Sequence, residues 1–373
     1  MNFKRILLVI LVSLVTFYVL LDKNTYANIY YTNEGISEPE VDLEKFDDSP
    51  TIAIEPSENA EVGPIPSQDN IIPMDTLYKD VEEEKILGND NRKLVKNFTS
   101  GPYRKVVKLN MKYPNGKSYS GSGIMIGEDT VLTAAHNIYT KEIGGWASDV
   151  TVFAGAKNDD YLIGKAHSKK LFALKEWVDS TSYEHDLAVI KLDTKLGRKT
   201  GTLSITTNML INERLETSGF PGDKTGSLQY NSEGNLKKMT NNNVFYDMDT
   251  WNGQSGSGVW NKKNQIIAVH AYGNNYLNFG TRITAENLNY IKHWMEKPIP
   301  EKYNKSVSIL KKKIVVWGNL DFTVKRTQKN IEYGNVYKAK YLYKHPNGQS
   351  YLSLYDAQNN WIGYFNKKDV INV

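Results

Sequence analysis

Short apolar runs, separated by Gly, Asn and Asp, dominate residues 86–297 of the chain. They are rich in β-branched and aromatic residues, which indicates strands. Examples are Tyr103–Met111, Gly123–Ile126, Val150–Ala154, Leu187–Leu192 and Gln265–Ala271. Many short strands at this spacing predict an all-β barrel or sandwich.

One amphipathic helix is predicted at the end of this region. Thr284 is a suitable N-cap, and Leu288, Ile291 and Met295 fall on one helical face. Proline residues beyond position 297 end the helix. Residues 85–298 are therefore expected to form one mostly β domain that closes with a helix.

Two segments of different composition flank this domain. Residues 28–84 are acidic and rich in proline, without a sustained apolar period, so they cannot bury enough apolar surface to fold alone. We interpret them as a pro-segment or a spacer. After a short linker, residues 303–373 are rich in strand-forming and aromatic residues between turn signals, which predicts a second, small β domain.

The first 27 residues have the pattern of a secretory signal peptide. Lys4 and Arg5 precede Ile6–Leu21, an unbroken apolar or hydroxyl run. Small residues at Thr25 and Ala27 suit a signal peptidase, which predicts cleavage after Ala27. An uncleaved anchor is the alternative, but the run is shorter than the ~20 residues that usually span a bilayer.

The amino-acid composition limits which catalytic chemistry the chain can carry and which cellular compartment it suits. The 373 residues include no cysteine, which excludes disulfides, cysteine-ligated metals and a cysteine nucleophile. A secreted chain of this kind is typical of bacteria that lack a disulfide-forming compartment, above all Gram-positive ones. Residues 28–84 hold 2 basic and 16 acidic side chains (net −14), residues 85–300 hold 28 and 20 (net +8), and residues 301–373 hold 13 and 5 (net +8).

Three segments carry the residue types of a serine nucleophile system. His136 follows a short apolar strand, Asp186 heads the apolar run Leu187–Leu192, and Ser255 lies in the glycine-rich loop Gly253–Gly258. A serine hydroxyl becomes a strong nucleophile when an imidazole takes its proton, and the imidazole needs a carboxylate to orient it. The order His, Asp, Ser is that of chymotrypsin-like enzymes, whereas subtilisins and α/β-hydrolases have other orders. We therefore predict His136 as general base, Asp186 as its orienting acid and Ser255 as nucleophile.

Gly253 adds a predicted oxyanion hole. Its backbone N–H and that of Ser255 can point at one spot, a geometry that glycine permits easily. Ser257 is a competing nucleophile, but Ser255 has the glycine two residues before it that the hole requires. Each segment alone is as consistent with a packed strand end, a cap or a turn. The three together, in this order on a β chain, indicate a triad.

These motifs resemble those of a known family. Segments Thr133–Asn137, His185–Val189, Ser218–Lys224 and Gly253–Gly258 are similar to the secreted glutamyl endopeptidases of staphylococci, bacilli and enterococci, within the trypsin-like serine peptidases. The resemblance covers roughly residues 86–297. It implies a chymotrypsin-like double β-barrel with the triad between the barrels, and cleavage of peptide bonds after Glu and, less well, after Asp.

The resemblance also implies a pocket for the acidic side chain that precedes the cut bond (P1). The family uses a threonine five residues before the serine and a histidine on the following strand, which match Thr250 and His270. An acidic side chain needs positive charge or hydrogen-bond donors, and an imidazole suits it. Without the resemblance, His270 in its apolar strand would be interpreted as a core histidine. The remaining histidines are interpreted as structural or surface residues: His167, His185, His293 and His345.

Ile86–Arg92 resembles the mature N-terminus of the family, whose α-amino group serves as a pocket cation. This implies activation by a cut after Glu84, which the enzyme itself could make, or after Lys85, which would need another protease. The sequence leaves both open. Before the cut the pocket lacks that positive charge, so the resemblance implies a latent proenzyme.

The C-terminal segment has a resemblance of its own. Tyr337–His345, Tyr351–Asp356 and Trp361–Tyr364 are similar to the GW-type, SH3-like modules of Gram-positive wall enzymes. A basic, aromatic surface suits polyanionic wall teichoic or lipoteichoic acid by charge. The alternative is a basic, solvated surface without a ligand. No nucleic-acid motif is recognised, and nucleic acid is not expected as a partner.

Together these patterns predict a secreted, wall-associated serine endopeptidase, made as a proenzyme, that forms an acyl-enzyme without a metal or cofactor. The sequence has no acidic loop of the EF-hand pattern, although calcium can also bind without one. Three alternatives stay open: a trypsin-like peptidase of other or narrow specificity, of the exfoliative-toxin type; a non-catalytic wall-binding or adhesive protein; and a membrane-anchored quality-control protease.

Overall fold

The computed structural model describes most of the chain beyond its first residues. The described residues are 30–37, 50–67, 70–77, 84–295, 300–311, 314–318, 320, 322, 325–326, 331–345 and 349–373. The predicted signal peptide, residues 1–27, lies outside them. No helix in these described ranges is both long and apolar enough to cross a membrane.

The described part of the chain is mostly β-strand with three short helices. The first strands are β1 (Tyr30–Thr32), β2 (Gly35–Ser37), β3 (Gly63–Pro64), β4 (Ile71–Pro73) and β5 (Lys93–Leu94). Next come β6 (Val106–Lys112), β7 (Ser118–Gly127), β8 (Thr130–Thr133), β9 (Tyr139–Thr140), β10 (Gly145–Trp146), β11 (Asp149–Lys157), β12 (Asp160–Leu174) and β13 (Ala188–Leu192).

The second half of the chain continues in the same manner. Its strands are β14 (Ser204–Ile205), β15 (Arg214–Gly219), β16 (Tyr230–Met239), β17 (Asn243–Tyr246), β18 (Gly258–Asn261), β19 (Gln265–Gly273), β20 (Asn278–Arg282), β21 (Pro300–Ile309), β22 (Val336–Lys344), β23 (Ser350–Tyr355), β24 (Trp361–Asn366) and β25 (Val370–Asn372). The helices are α1 (Lys175–Ser180), α2 (Gly197–Thr200) and α3 (Ala285–Trp294).

Two closed six-stranded barrels form the centre of the molecule. The first follows the order β11-β6-β7-β8-β13-β12, and β12 pairs back to β11. The second follows β19-β18-β15-β16-β17-β20, and β20 pairs back to β19. Closure leaves neither barrel with an open edge in these strands. The predicted double β-barrel is therefore confirmed.

Apolar side chains fill both barrels and the space between them. Leu109 and Met125 belong to the core of the first barrel, and Leu215 and Val259 belong to that of the second. A third cluster takes members from both barrels, including Ile124 and Trp260, which are fully buried. This shared core fixes the barrels against each other and so fixes any site at their junction.

Helix α3 ends the double-barrel region as the sequence predicts. The Thr284 hydroxyl accepts a hydrogen bond from the backbone N–H of Asn287, and Leu288, Ile291 and Met295 are buried. One predicted boundary differs. The strand expected from Tyr103 starts at Val106, because Pro102–Lys105 forms a 3₁₀ turn, whose first position suits proline.

The acidic segment that precedes the barrels adds strands to the first one. Strand β1 pairs with β12 in antiparallel register, as does β3, and β4 pairs with β7 in parallel register. Its buried apolar side chains are isolated ones such as Tyr30, Ile65 and Met74. This spacing explains why no periodic pattern marks the segment and why it depends on the barrel for its core.

The C-terminal residues form the small β domain of the predicted fold. Five antiparallel strands follow the order β24-β23-β22-β21-β25. Their inner faces share an apolar cluster that includes Val307, Leu352, Leu354 and Phe365. Strand β22 alternates exposed and buried residues at its start, whereas the residues Tyr351–Tyr355 of β23 are all buried.

Candidate active site

The three predicted triad residues meet at the junction of the barrels. His136 lies in a 3₁₀ turn directly after β8, and Asp186 lies two residues before β13. Because β8 and β13 are antiparallel neighbours, with Thr133 opposite Ala188, the end of one and the start of the other share an edge. Ser255 comes from the second barrel, in the loop before β18. His136, Asp186 and Ser255 are all fully buried.

Asp186 binds His136 through both carboxylate oxygens. Oδ2 lies 2.5 Å from His136 Nδ1, and Oδ1 accepts the backbone N–H of His136 at 2.9 Å. Tyr272 donates its hydroxyl to Oδ2 at 2.5 Å. Burial alone lowers the pKa of His136, but the charge and hydrogen bond of Asp186 outweigh it, and the pKa rises above its ordinary value. The imidazole is thus held in one orientation and made more basic.

The backbone of Ser255 is held by hydrogen bonds, and its hydroxyl points toward Glu84 and Ala271. Its carbonyl oxygen accepts hydrogen bonds from the Asn137 side chain at 3.0 Å and from Ser122 N at 2.9 Å. Its hydroxyl lies 2.8 Å from Ala271 O and 2.6 Å from Glu84 Oε1. A hydroxyl has a single proton, so these two acceptors share it.

Two glycines shape the loop around Ser255. Gly253 has φ of +101° and Gly256 has φ of +89°, conformations that other residues rarely adopt. A Cβ on Gly256 would lie 2.1 Å from Ser122 O, so glycine is also required for space. The backbone N–H of Gly253, predicted to form the oxyanion hole, donates to both oxygens of Asp75 at 3.1 and 3.0 Å.

The predicted P1 pocket contains an acidic side chain of the chain itself. Glu84 is buried, and its Oε1 lies 3.1 Å from His270 Nε2. On the other side of the imidazole, Tyr246 OH lies 2.5 Å from His270 Nδ1. Thr250 is fully buried, and its hydroxyl has no hydrogen-bond partner among the described residues. The structure therefore brings Thr250 and His270 close to the chain segment at Glu84.

Burial changes the charge of these acidic groups. Desolvation raises the pKa of Glu84 to about 8, against the hydrogen bond from Ser255. It also raises the pKa of Asp75 to about 7, and the charge of Glu84 adds to this. Desolvation lowers the pKa of His270 to about 3. Burial therefore disfavours the charged forms of both Glu84 and His270 where they meet.

Residues 85–92, which contain the predicted mature N-terminus, are fixed beside this pocket. Asn278 contacts Lys85 twice, with Oδ1 2.9 Å from its N and Nδ2 2.7 Å from its O. The Asp249 carboxylate accepts the backbone N–H groups of Leu87 and Asn91 at 2.6 and 2.8 Å. The backbone N–H of the next residue, Thr250, donates to Lys85 O at 3.3 Å.

Sequence reasoning missed several residues of this site. Tyr272 and Asn137 contact Asp186 and the Ser255 loop, and Asp249 and Asn278 fix the segment after Glu84. Asn137 could have been found because it directly follows His136. For the others, no local pattern in the sequence signals the contact.

The remaining histidines contact other groups. His293 Nε2 lies 3.0 Å from Tyr30 OH, His345 Nε2 lies 2.9 Å from Leu320 O, and His185 Nδ1 lies 2.9 Å from Ser182 Oγ. His167 is partly exposed beside Asp149. These contacts agree with a structural or surface role.

Known proteins match the barrel region of the chain. A trypsin-like peptidase domain family matches residues 121–269. The glutamyl endopeptidase of Bacillus licheniformis is 33% identical over 224 residues, covering 57% of this chain and 69% of that protein. The solved structure of a Glu endopeptidase in complex with MPD covers 57% of this chain and 100% of its own, with a TM-score of 0.52 and 25% identity.

One similar protein is named as a metalloprotease rather than as a glutamyl endopeptidase. A protein of Bacillus subtilis called an extracellular metalloprotease is 32% identical over 222 residues, covering 57% of this chain and 71% of that protein. In the part of this chain that the structure describes, no group of three or more His, Cys, Asp or Glu side chains could hold a metal ion.

These matches, with the double barrel, make the chain a serine endopeptidase, a hydrolase whose substrates are proteins or peptides. The match to the Bacillus licheniformis enzyme, at 33% identity over 69% of that protein, is extensive enough to assign the family. The chain belongs to the glutamyl endopeptidase family of the trypsin-like serine peptidases.

Proposed function

We propose that the chain is a secreted endopeptidase that cleaves after Glu, and less well after Asp, and that it is made as a proenzyme. His136, Asp186 and Ser255 form its triad. The observation that carries the proposal is the position of Glu84, a buried acidic side chain within contact of both Ser255 Oγ and His270 Nε2. The boundaries after residues 27 and 84 and at residue 298 remain predictions.

Catalysis would use an acyl-enzyme. His136 takes the proton of Ser255 as its oxygen attacks the substrate carbonyl, and Asp186 stabilises the imidazolium that forms. The backbone N–H groups of Gly253 and Ser255 stabilise the oxyanion. The imidazolium then gives its proton to the leaving amine, and water, activated by His136, hydrolyses the ester. For the first step the Ser255 hydroxyl turns from Ala271 O toward His136.

Activation by a cut after Glu84 has the better support of the two open choices. Such a cut turns the backbone N of Lys85 into an α-amine, and Asn278 Oδ1 already lies 2.9 Å from that nitrogen. The Glu84 side chain also lies against His270, as an acidic P1 residue would. A cut after Lys85 would instead free the nitrogen of Ile86.

The specificity is tested by a His270 variant. We expect His270→Leu to lower kcat/KM for P1 Glu peptides about 100-fold, because the buried acid then loses a charged or polar partner. For peptides with P1 Gln, kcat/KM of the variant should fall less. Hydrolysis of a panel with P1 Glu, Asp, Gln and Lys by the mature enzyme measures both effects.

His167→Gln serves as the matched control, since His167 lies on the first barrel beside Asp149 and away from the pocket. This variant should hydrolyse all four peptides of the panel at the rates of the native enzyme. An unchanged Glu preference in His270→Leu would contradict the assignment of the pocket. Intact peptides with every P1 residue, together with retained wall binding, would favour the narrow-specificity or adhesive alternatives.

We propose that the C-terminal domain, residues 303–373, holds the enzyme at the cell wall through an anionic polymer. Residues 301–373 carry a net charge of +8. Cationic groups lie over aromatic rings there: Lys340 Nζ is 3.9 Å from the Tyr355 centroid, and the Arg326 guanidinium is 4.8 Å from that of Trp361. Such pairs present fixed positive charge, which suits a phosphate-rich polymer.

Charge reversal tests this binding. We expect Lys338→Glu combined with Lys340→Glu to weaken sedimentation with Gram-positive cell walls at least tenfold, because both charges lie on one strand, β22. Lys262→Glu, an exposed change in the barrel region, is the control. Peptide hydrolysis should stay the same. The proposal would be contradicted if the double variant bound walls as well as the native protein does. It would also be contradicted if the native protein bound equally well to walls stripped of teichoic acid.

A further inference from the structure

We propose that the segment of residues 28–84 is an active-site inhibitor that stays bound after the bond following Glu84 is cut, with Asp75 in place of the substrate oxyanion and Glu84 in place of the P1 side chain. This rests on the proposed function, because it assigns the two positions by the roles of Gly253 and His270. It adds a partner to the mature enzyme, namely its own severed segment. Full activity then requires removal or further cutting of that segment.

Asp75 occupies the oxyanion hole. Its two carboxylate oxygens both lie within hydrogen-bond distance of Gly253 N, one of the two donors assigned to the hole. Asp75 is the second residue of a short 3₁₀ turn, Met74–Leu77, and Met74 is fully buried in the core of the first barrel. The buried Met74 therefore fixes the position of the Asp75 carboxylate. A substrate carbonyl cannot reach the oxyanion hole while this carboxylate occupies it.

Glu84 blocks the second position that a substrate needs. Its carboxyl group contacts the Ser255 hydroxyl and His270, and it is only 4% exposed. Asp75 lies close enough to Glu84 that the charge of Glu84 contributes to raising the pKa of Asp75. Nucleophile, oxyanion hole and P1 pocket are thus all engaged by one pair of acidic side chains.

Contacts far from the site hold the rest of the segment. Strands β1 and β3 extend the sheet at β12, and β4 extends it at β7. The Tyr30 ring packs against Phe172 and Trp294, and its hydroxyl reaches His293. Exposed ion pairs such as Glu61 with Lys199 add little each. Strand addition of this kind is a common way to bind a separate peptide.

A cut between Glu84 and Lys85 breaks none of these contacts. It leaves Glu84 as a new C-terminus whose side chain keeps its contacts with Ser255 and His270. The segment would leave only when many backbone hydrogen bonds break together, which makes its dissociation slow. A single cut is therefore not enough to open the site.

The test uses the mature chain that starts at Lys85, carrying Ser255→Ala so that it cannot degrade the peptide, and a fluorescent peptide of residues 28–84. Fluorescence polarisation should give a Kd below about 1 µM. The Asp75→Ala peptide should bind at least tenfold more weakly, because the buried N–H of Gly253 then loses its acceptor. The Glu61→Ala peptide is the matched control, since it loses only an exposed ion pair, and it should bind within threefold of the native one.

Binding is measured without catalysis, so a failure of the proposed peptidase activity leaves this test intact. Equal affinity of the native and Asp75→Ala peptides, or a Kd above about 100 µM for the native peptide, would overturn the inference. A second readout uses the active mature enzyme in initial-rate assays. There the native peptide should inhibit hydrolysis, and the Asp75→Ala peptide should need at least tenfold more for the same inhibition. Full activity in the presence of saturating native peptide would also overturn the inference.

Discussion

Replacing Ser255 with alanine is expected to lower kcat of the mature enzyme by about 10⁶-fold, the order of magnitude found when the nucleophile of such a triad is removed. Without the hydroxyl no acyl-enzyme can form, and His136 has no proton to take. The backbone contacts of Ser255 with Asn137 and Ser122 do not depend on its side chain, so the loop should keep its shape. Hydrolysis of a P1 Glu peptide, with initial rates followed over hours, measures the loss.

Ser257→Ala is the matched control, because Ser257 is the competing nucleophile in the same loop. Its backbone, rather than its hydroxyl, holds the loop: its N–H reaches Gln254 O, and its O accepts from His270 N. We expect kcat to change less than tenfold. A large loss in Ser257→Ala with activity retained in Ser255→Ala would exchange the two assignments.

The residues nearest the proposed chemistry were predictable because their signals are local. His136 and Asp186 each stand at the end of a strand, and Ser255 stands among glycines that a strained loop requires. The order along the chain then limits which fold can bring them together. Local patterns also predict the strands and the cap of α3 at Thr284, whereas the double barrel was implied by the family resemblance.

His270 shows where local signals conflict. Its apolar strand predicts a core histidine, and in the structure it is indeed fully buried beside Tyr246. It is also within 3.1 Å of an acidic side chain, which only the resemblance had implied. A buried position and a functional one are not exclusive, and the sequence around a single residue cannot separate them.

The acidic segment, residues 28–84, shows what composition cannot predict. Its composition predicts that it cannot fold alone, and the structure agrees, since its strands pair with those of the barrel. Composition does not reveal that Asp75 and Glu84 are buried against the site. In the sequence, nothing around Asp75 distinguishes it from Glu58 or Glu61. Long-range packing alone makes that choice.

Asp186→Asn is expected to lower kcat about 10⁴-fold near neutral pH, as loss of the orienting acid does in enzymes with this triad. The amide would donate toward His136 Nδ1, where the carboxylate now accepts, and the imidazole would then carry its proton on Nε2. In that tautomer it cannot take the proton of Ser255. Asp186 also raises the pKa of His136, so the variant's imidazole should be less basic. Initial rates between pH 5 and 10 measure both changes.

Tyr272→Phe separates the charge of Asp186 from its surroundings. It removes one hydrogen bond from Oδ2 and leaves both contacts with His136, so kcat should fall only about tenfold, the effect of one hydrogen bond to a charged group. Without the hydroxyl of Tyr272, the carboxylate interacts more strongly with the imidazolium, so the pKa of His136 should rise slightly rather than fall. The pH profiles of the two variants should therefore shift in opposite directions. Activity of Asp186→Asn within tenfold of the native enzyme would remove Asp186 from the triad.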